Sequence, residues 1–522
     1  MTVVRNKNTQ AVTAEKIFER YTGFGGDITD MKMGGEVERV YYRADDPHQM
    51  MDWDDQIKFL DALPNYTIDD PKNPGAKKSV TVTEETVSQV LEEQTSAYKW
   101  GDMAQLLQEE RDKAAVMQEI AHNLGLRQSP FTANPLVTHD QCWENPNVGR
   151  WERTDMLVEQ FHKHMSHDAL SYTFLTSPVH CSVSYTNPEH LWGMARRMYY
   201  LTPFMYLAGD NGSGFIERGE KPLNHHFTMR TNQALEDRGG VPEFFFRCMN
   251  GEDFIRGHIE AVMNNPMFIY FDESGETVKA EGDDLPTFRD LEALGLNTQS
   301  NFDLAESMLW PDGKICNIRD DNDVPVGKRF EIRMWDTGPH QFQSMMLTCM
   351  ATLMDPQGAA ETDALLEDYG FGEVPFYSRD LLEEAYQNAL YHNGHYMDIP
   401  FGKKREDGSQ PTMLDFAGEL YPIIERSVLR TDPELLPKLE PLKHICETGW
   451  TDTKVIQNLY GDLKGVEFFM KNAPDDIYTR PDGVSYYQLW MNDELPEYTP
   501  PENGSDLKSG QHVGFECLKQ DM

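Results

Sequence analysis

The sequence predicts an α+β protein with a largely antiparallel sheet. Segments rich in β-branched and aromatic residues, such as 37–42 (VERVYY) and 179–185 (VHCSVSY), alternate with helical patterns at irregular intervals. Gly-Gly and Gly-Pro steps mark tight turns, but the regular strand–helix–strand rhythm of a parallel sheet is absent. Beyond Ser378 helical patterns dominate and strands become scarce.

The chain is long enough for several domains, but no linker divides it. Its 522 residues correspond to two to four domains at roughly 150 residues each, although large single catalytic domains also reach this size. We therefore predict one catalytic domain over residues 1–490, with a helix-rich C-terminal part from about residue 378. A polar segment at 491–522, containing Pro and Gly, is expected to be peripheral.

Composition narrows the class of partner. Asp and Glu number 87 against 47 Lys and Arg, for a formal net charge of -40, so the average surface repels nucleic acid and anionic lipid. Solubility or a salty cytoplasm explains this acidity more simply than an acidic site for a cationic partner. An anionic substrate such as ATP requires local arginines or metal ions.

Cysteine usage and the absence of targeting segments indicate a cytoplasmic protein. The seven cysteines are widely spaced and form no CxxC pair, which argues against a disulfide framework or a zinc ribbon. The N-terminal MTVVRNKNTQAV lacks the features of a signal peptide, and no run of about 18 apolar residues occurs.

Further elements follow from the same periodicities. Helical spacing predicts helices over 100–124, from Pro188 through Leu201, and over 340–354. Residues 80–82 and 329–335 (RFEIRMW) are predicted strands.

Two acidic residues near the start share a strand face. Glu36 and Glu38 are two apart, so on a strand their carboxylates lie side by side. Close like charges raise each other's pKa unless a cation separates them, which suits a hard divalent ion if the face is buried. The spacing alone favours a solvated strand face, since ExE is common in an acidic protein.

A second strand carries a carboxylate between guanidinium groups. Arg329, Glu331 and Arg333 alternate along one face of RFEIRMWD. Arginine binds phosphate and carboxylate oxygens in two-point fashion, so this face could hold a metal and a phosphate. The alternative, a cross-strand salt bridge, is favoured by the pattern taken alone.

Two weaker candidates have simple structural alternatives. His180 lies on an apolar strand, where a lone histidine is more often a satisfied core residue than a ligand. Residues 81–95 (TVTEETVSQVLEEQT) are rich in glutamate, and we interpret this segment as the solvated face of a helix.

The order of these motifs resembles the glutamate–cysteine ligase superfamily, particularly its second family of glutamine synthetase-like carboxylate–amine ligases. Residues 35–38 (GEVE) look like the family's GxExE strand, and 331–336 (EIRMWD) look like its ExR...D strand. Residues 181–215 are similar to its strand and helix ending in a small-residue loop. Residues 229–242 (MRTNQALEDRGGVP) resemble its arginine-bearing segment.

The resemblance implies a fold and a set of site residues. The fold is glutamine synthetase-like, with a curved, largely antiparallel sheet forming the active-site face and packed with helices. The implied ligands of Mg²⁺, with Mn²⁺ as the alternative, are Glu36, Glu38, Glu85, Glu92, His180 and Glu331. Implied catalytic residues are Arg333 and Glu331, and implied substrate- or ATP-binding residues are Arg230, Arg238, Arg333, Ser182 and Ser184.

The sequence departs from the plant-like branch of the family at two positions, and one of the implied metal ligands has an alternative. The plant-like branch of the family tends to carry Gln and Asn where this chain has Ser184 and Thr186, which affects the contacts to amino-acid substrates. In the acidic segment, Glu84 is an alternative to Glu85 as a ligand.

By resemblance, the chain is an ATP-dependent ligase that forms a γ-glutamyl amide bond. The implied reaction joins glutamate to L-cysteine through γ-glutamyl phosphate, the first step of glutathione synthesis. The implied partners are therefore the small molecules glutamate, cysteine and ATP. A ligase using a different amine and a non-catalytic acidic cation-binding protein are the alternatives.

Overall fold

The computed structural model describes residues 11–23, 25–85, 87–137, 141, 152–164, 176–212, 238–282, 284–319, 325–391 and 396–499, to which all statements below refer. The strands are β1 (Lys32–Arg43), β2 (Asp46–Met50), β3 (Thr67–Asp69), β4 (Lys77–Ser79), β5 (Val82–Glu84), β6 (Val90–Gln94), β7 (Tyr98–Lys99), β8 (Leu126–Gln128), β9 (Pro178–Ser184), β10 (Gly239–Gly240), β11 (Ile269–Phe271), β12 (Thr277–Lys279), β13 (Trp310–Pro311), β14 (Gly313–Arg319) and β15 (Pro325–Asp336).

The helices are α1 (Ala14–Glu19), α2 (Trp53–Ala62), α3 (Met103–Asn123), α4 (Glu152–His164), α5 (Pro188–Ala208), α6 (Gly251–Asn264), α7 (Phe288–Ala293), α8 (Gln299–Ser307), α9 (Gln341–Cys349), α10 (Pro356–Asp368), α11 (Pro375–Tyr391), α12 (Met413–Thr431), α13 (Glu440–Thr448), α14 (Asp452–Tyr460), α15 (Leu463–Asn472) and α16 (Tyr486–Met491). Among these helices, none has the length and apolar character needed to cross a bilayer.

One antiparallel sheet organises the chain. In the described ranges it has nine strands, with β14, β15, β9, β1, β6 and β5 in that order and with β2, β7 and β8 also pairing with β1. Every pairing within it is antiparallel. The prediction of an α+β fold with a largely antiparallel sheet is confirmed. Strand β1 lies at the centre and contributes residues to both faces.

A glycine on β1 sets the distance between this sheet and α9. A Cβ atom placed on Gly35 would lie 2.4 Å from Cε2 of Phe342, closer than atoms can approach. Glycine therefore lets α9 pack directly on this face of β1. Because side chains alternate along a strand, Glu36 and Glu38 project from the opposite face.

Helix α5 fills the core on the side of the sheet that faces away from those carboxylates. The side chain of Asn187 caps its first turn, and nearly every residue from Leu191 to Ala208 is buried. Tyr199 of α5 contacts Phe330 of β15, with ring centroids 6.4 Å apart. The helix continues beyond the predicted end at Leu201 because its last two turns are buried apolar residues.

The interpretation of residues 81–95 as a solvated helix is wrong. The segment forms β5 and β6, and β6 pairs with β1 along its length. Val90 and Leu91 are buried in the core, and Glu92 and Glu93 are also buried, on opposite faces. Pairing with a distant strand overrides the local acidic pattern, since strand formation depends on tertiary context. The strand predicted at 80–82 is likewise misplaced, since β4 ends before it and β5 begins at Val82.

The other predicted elements are confirmed with shifted ends. They are the strands β1, β9 and β15 and the helices α3, α5 and α9, the last continued by a π-helical turn over Met350–Met354. The C-terminal part is helical, as predicted. Its last helices pack on the far end of β1, where the Tyr42 hydroxyl donates to the carbonyl oxygen of Met470 at 2.7 Å. The domain limits at 490 and 378 stay predictions.

Candidate metal and nucleotide site

The sheet face opposite α9 brings together acidic side chains from β1, β6 and β15 and a histidine from β9. Opposite residues of an antiparallel pair project from the same face, so register decides which side chains meet. Glu36 on β1 lies opposite His180 on β9, and Glu38 lies opposite Glu92 on β6. Glu331 on β15 lies opposite Ser182 on β9. We call the face that carries Glu36, Glu38, Glu92, His180 and Glu331 the carboxylate face.

Two overlapping groups on this face have the spacing of metal ligands. Ligand atoms of Glu36, His180 and Glu331 lie within 4.8 Å of one another, and so do those of Glu38, Glu92 and His180. The imidazole is common to both groups, and its Nδ1 lies 3.4 Å from Oε2 of Glu36. Five of the six predicted metal ligands therefore belong to two groups that share His180.

Arginines of β15 stand among these carboxylates. Nη2 of Arg329 donates to Oε1 of Glu36 and to Oε2 of Glu331, each at 2.9 Å. Arg333 donates through Nη1 to Glu331. The register between β15 and β9 shifts between Ile332 and Trp335, and this irregularity lies where Arg333 passes His180. Bulges of this kind often re-aim a side chain at a functional site.

The two arginines set the ionisation of their carboxylate partners. Burial acts to raise the pKa of Glu331, but Arg333 and Arg329 hold it well below its ordinary value. Burial and the charge of Glu331 both act to raise the pKa of Glu36, and Arg329 and His180 outweigh them, so that it is lowered. Both groups are therefore carboxylates at neutral pH and can accept a cation.

The pKa shifts of His180 and Glu92 favour the neutral form of each side chain. Burial, and then the charge of Arg333, lower the pKa of His180 to about 3, so its imidazole is neutral at physiological pH. Its Nε2 is buried without a hydrogen-bond partner. Burial, and then the charges of Glu36 and Glu85, raise the pKa of Glu92 well above its ordinary value. A nearby cation would relieve that repulsion.

This donor set fits a divalent cation. Carboxylate oxygens are the protein ligands that Mg²⁺ and Mn²⁺ prefer, and a metal-binding histidine must be neutral. The orphaned Nε2 of His180 supplies a lone pair or an N–H that the described protein atoms leave unused. Glu36, Glu38, Glu92, His180 and Glu331 are thus the residues that would hold the ion.

The acidic segment before β6 favours Glu85 over Glu84. Glu84 pairs with Leu91, so it shares the face of that buried leucine, whereas Thr83 pairs with Glu92. Glu85 follows β5 directly, and its charge contributes to the raised pKa of Glu92. Glu85 is two residues from Thr83, so the alternation of the strand points it to the same face as Glu92, and its charge acts on Glu92. Both observations group Glu85 with the carboxylate face.

The two predicted serines lie at different positions along β9 and make different contacts. Oγ of Ser182 donates to Oε2 of Glu331 at 3.4 Å, which places it beside the cluster. Oγ of Ser184 accepts from the backbone N–H of Lys32 at 2.8 Å. Ser184 thus ties β9 to the start of β1, one pleat further from His180.

Of the two predicted arginines before β10, the structure describes Arg238, and it does not bring this residue to the carboxylate face. Arg230 lies outside the described residues. The guanidinium of Arg238 donates to the carbonyl oxygens of Met308, at 3.3 Å, and Pro266. It also lies over the ring of Phe268, 4.4 Å from the centroid. These contacts hold Arg238 next to β13 rather than among the carboxylates.

Sequence reasoning missed three residues on the carboxylate face. Lys314 and Cys316 of β14 lie opposite Glu331 and Arg329. Gln94 lies opposite Glu36, and its Nε2 donates to Oε1 of Glu92 at 2.8 Å. The two-residue spacing from Glu92 to Gln94 was a usable signal, whereas the pairing of β14 with β15 has no local signature.

Comparisons with known proteins identify structural neighbours only. No family model and no curated protein matches the sequence. Glutamate–cysteine ligase from Francisella tularensis in complex with AMP aligns with a TM-score of 0.49 and 12% identity, over 90% of this chain and 93% of that one.

Two more solved structures align at lower scores. A bifunctional glutathione synthetase from Pasteurella multocida aligns with a TM-score of 0.38 and 10% identity, over 87% of this chain and 52% of that one. The ligase PafA, in complex with the prokaryotic ubiquitin-like protein Pup, gives 0.36 and 10%, over 93% and 80%. The Francisella tularensis protein bears the name of the family that the motifs resemble. All three TM-scores lie below 0.5, so these alignments assign no function to this chain.

Proposed function

We propose that this protein is an ATP-dependent ligase that joins a carboxylate to an amine, and specifically the γ-carboxylate of glutamate to L-cysteine. The observation that carries the proposal is the carboxylate face, where two groups of metal-ligand atoms share His180 beside Arg329 and Arg333. The identity of the substrates comes from the motif resemblance of GEVE and EIRMWD.

The proposed reaction activates the acid before the amine attacks. An oxygen of the γ-carboxylate attacks the γ-phosphorus of ATP, the bond to the β-phosphate oxygen breaks, and ADP leaves. The amine nitrogen then attacks the carbonyl carbon of γ-glutamyl phosphate. The C–O bond to phosphate breaks, the nitrogen loses a proton, and an amide and inorganic phosphate remain.

The carboxylate face supplies the ligands for a metal in this reaction. A bound divalent cation would neutralise charge on the phosphate oxygens during transfer. Glu36, Glu331 and His180 form one set of ligands, and Glu38 and Glu92 with the same histidine form the other. Glu85 would join the second set. Carboxylates this close repel one another, and a cation bound between them would remove that repulsion.

Arg333 is the proposed phosphate-binding group. Its contact with Glu331 fixes the orientation of the guanidinium, whose remaining N–H groups can bind oxygens of the γ-phosphate and of the acyl phosphate. Such fixed donors stabilise charge that develops in phosphoryl transfer. Arg329, which joins Glu36 to Glu331, keeps β1 and β15 at the spacing that this requires.

Release of ADP in the presence of Mg²⁺, ATP and glutamate tests the proposal, with cysteine and other amino acids screened as the amine. Glu331→Gln removes the negative charge that pairs with Arg329 and Arg333 and that would bind the metal. We expect its turnover to fall by at least about 1,000-fold, which corresponds to about 4 kcal/mol of transition-state stabilisation.

A matched control variant distinguishes a loss of catalysis from a loss of folding. Glu292 lies exposed on α7, so Glu292→Gln changes the same functional group outside the carboxylate face and should leave the rate unchanged. Circular dichroism of Glu331→Gln should show the helical content of the unmodified protein. A near-normal rate for folded Glu331→Gln would refute the assignment of this face.

The same assay distinguishes the two alternatives. If glutamate-dependent ADP release requires an amine other than cysteine, the ligase chemistry stands and the amine is corrected. If no amine supports turnover, calorimetry with Mg²⁺ and a non-hydrolysable ATP analogue decides. A passive cation-binding protein would bind the metal equally with and without the nucleotide.

A further inference from the structure

Lys314 adds a cation to the carboxylate face beside Glu331. It lies on β14 directly opposite Glu331 of β15, and opposite residues of an antiparallel pair project from the same face. The side chain of Lys314 is half-buried, so part of it is accessible from solvent. The motifs that resemble the ligase family do not include this residue.

The carboxylate of Glu331 already accepts hydrogen bonds from two arginines. Its Oε1 accepts from Arg333, and its Oε2 accepts from Arg329 at 2.9 Å. Among the described residues, the ammonium of Lys314 donates instead to the carbonyl oxygen of Ser307, at 3.3 Å. An ammonium has three N–H donors, and this bond uses one of them. Within those residues, Lys314 therefore neighbours Glu331 without being its ion-pair partner.

Positive charge is concentrated around Glu331. Arg329 and Arg333 stand on either side of it along β15, and Lys314 lies opposite it on β14. Burial lowers the pKa of Lys314, and the charges of Arg333 and Glu331 act on that pKa in opposite directions, so both groups lie within electrostatic reach of its ammonium. Three cations thus surround Glu331 in the described part of the chain, which favours an anionic group beside them.

The spacing of these cations matches the length of an activated glutamate. Arg333, the proposed phosphate-binding group, lies two residues beyond Glu331, and two residues on a strand span about 7 Å. Lys314 is level with Glu331, so it is one such step from Arg333. In an extended γ-glutamyl phosphate, ordinary bond lengths place the α-carboxyl carbon about 7 Å from the phosphorus. A phosphate on Arg333 therefore leaves the α-carboxylate at the level of Lys314.

We propose that the ammonium of Lys314 binds the α-carboxylate of the acid substrate and so selects an α-amino dicarboxylate of the length of glutamate. This role rests on the proposed ligase function, because it takes the phosphate to be bound by Arg333. An acid without the second carboxylate, such as 4-aminobutyrate, leaves the ammonium without its anion. Aspartate is one methylene shorter, so its second carboxylate falls about 1 Å short of the same position.

Calorimetric titration tests this role without requiring turnover. Glutamate and 4-aminobutyrate differ only in the α-carboxylate, and each is titrated into the full-length protein with Mg²⁺ and a non-hydrolysable ATP analogue. Glutamate should bind at least tenfold more tightly, because 4-aminobutyrate lacks the charged acceptor of the hydrogen bond from Lys314. The KM values for glutamate and for ATP in the ADP-release assay provide a second readout.

Two variants of Lys314 assign the preference to its charge. Lys314→Gln removes the charge but keeps a donor for the carbonyl oxygen of Ser307, and Lys314→Arg keeps the charge. Lys314→Gln should weaken glutamate binding at least tenfold and change the affinities for 4-aminobutyrate and the nucleotide analogue less than twofold. Lys314→Arg should keep part of the preference for glutamate. Lys443→Gln, at a half-buried lysine of α13, is the matched control and should bind glutamate normally.

The proposal is overturned if the unmodified protein does not prefer glutamate to 4-aminobutyrate, or if Lys314→Gln, shown by thermal unfolding to be folded, keeps the preference. It is also overturned if Lys314→Gln weakens binding of the nucleotide analogue and not of glutamate, because the ammonium would then bind phosphate. Failure of the ligase function gives a different result, namely glutamate binding that depends on Lys314 but no ADP release with any amine.

Discussion

Opposite faces of β1 and β6 carry buried charge in two different ways. On the face toward α3, Nη2 of Arg39 donates to Glu93 at 2.8 Å and to Glu110 at 2.6 Å. On the carboxylate face, Glu38 lies opposite Glu92, and burial together with the charges of Glu36 and Glu85 raises the pKa of Glu92. The first group is neutralised mainly by the protein itself. The second would be stabilised by a bound cation.

The difference also appears in the titration of each group. Glu93 and Glu110 share one guanidinium, and burial raises the pKa of Glu110 to about 7 although Arg39 lowers it. Glu92 has its pKa raised by burial and by two neighbouring carboxylates. On both faces, ionisation of a buried glutamate is therefore unfavourable. Of the two, the carboxylate face also holds a neutral histidine, whose Nε2 is buried without a hydrogen-bond partner among the described residues.

Removing Arg39 should have the largest effect on stability. Arg39→Met leaves Glu93 and Glu110 buried without their cation, and breaking such a pair costs about 3–5 kcal/mol. Urea denaturation measures the loss. Arg329→Met is the matched variant, because Arg329 also joins two carboxylates but is 28% exposed. Its loss should be about 1 kcal/mol. Equal losses would mean that the two faces are equally dependent on internal pairing.

The pH dependence of stability should reveal Glu110. Its pKa of about 7 in the folded protein lies above the value of 4.5 for a free side chain, so the folded state binds the extra proton. Its contribution to stability is complete below about pH 4.5 and is lost as the pH rises through 7.

Between pH 5 and pH 8, the unmodified protein should therefore lose about 2 kcal/mol more unfolding free energy than Glu110→Gln. Urea denaturation at the two pH values provides the measurement. Parallel losses in both proteins would show that Glu110 titrates at its ordinary pKa.

Divalent cations should stabilise the protein through the carboxylate face alone. At ten times its dissociation constant, a ligand that binds only the folded state adds about 1.4 kcal/mol. Mg²⁺ or Mn²⁺ should give this gain in the unmodified protein and in Glu292→Gln, and Glu38→Gln should abolish most of it. A gain that survives in Glu38→Gln would place the cation elsewhere.

The local periodicity of the sequence predicted which side chains share a face. The two-residue repeat placed Glu36 with Glu38, and Arg329 with Glu331, and the structure confirms both pairs. Periodicity alone could not show that this face is buried. That property follows from the neighbouring strands, whose register brings His180 to Glu36.

Non-local pairing explains what the sequence did not predict. Residues 81–95 have a helical pattern of acidic residues, yet they form strands because β6 pairs with the central β1. The Arg39 cluster was missed because Glu110 comes from α3, which is distant in the chain and contacts β1 only in the folded state. Likewise, nothing near Glu331 in the sequence indicates Lys314 as its neighbour.

The fate of oxygen atoms tests the central claim most directly. Glutamate labelled with ¹⁸O in its γ-carboxylate is incubated with the protein, ATP, Mg²⁺ and the amine that supports turnover. If a γ-glutamyl phosphate forms, each inorganic phosphate produced carries one ¹⁸O atom from the substrate, as mass spectrometry would show. Phosphate free of label, formed at the rate of ADP release, would mean that water attacks ATP and would contradict ligation on the carboxylate face.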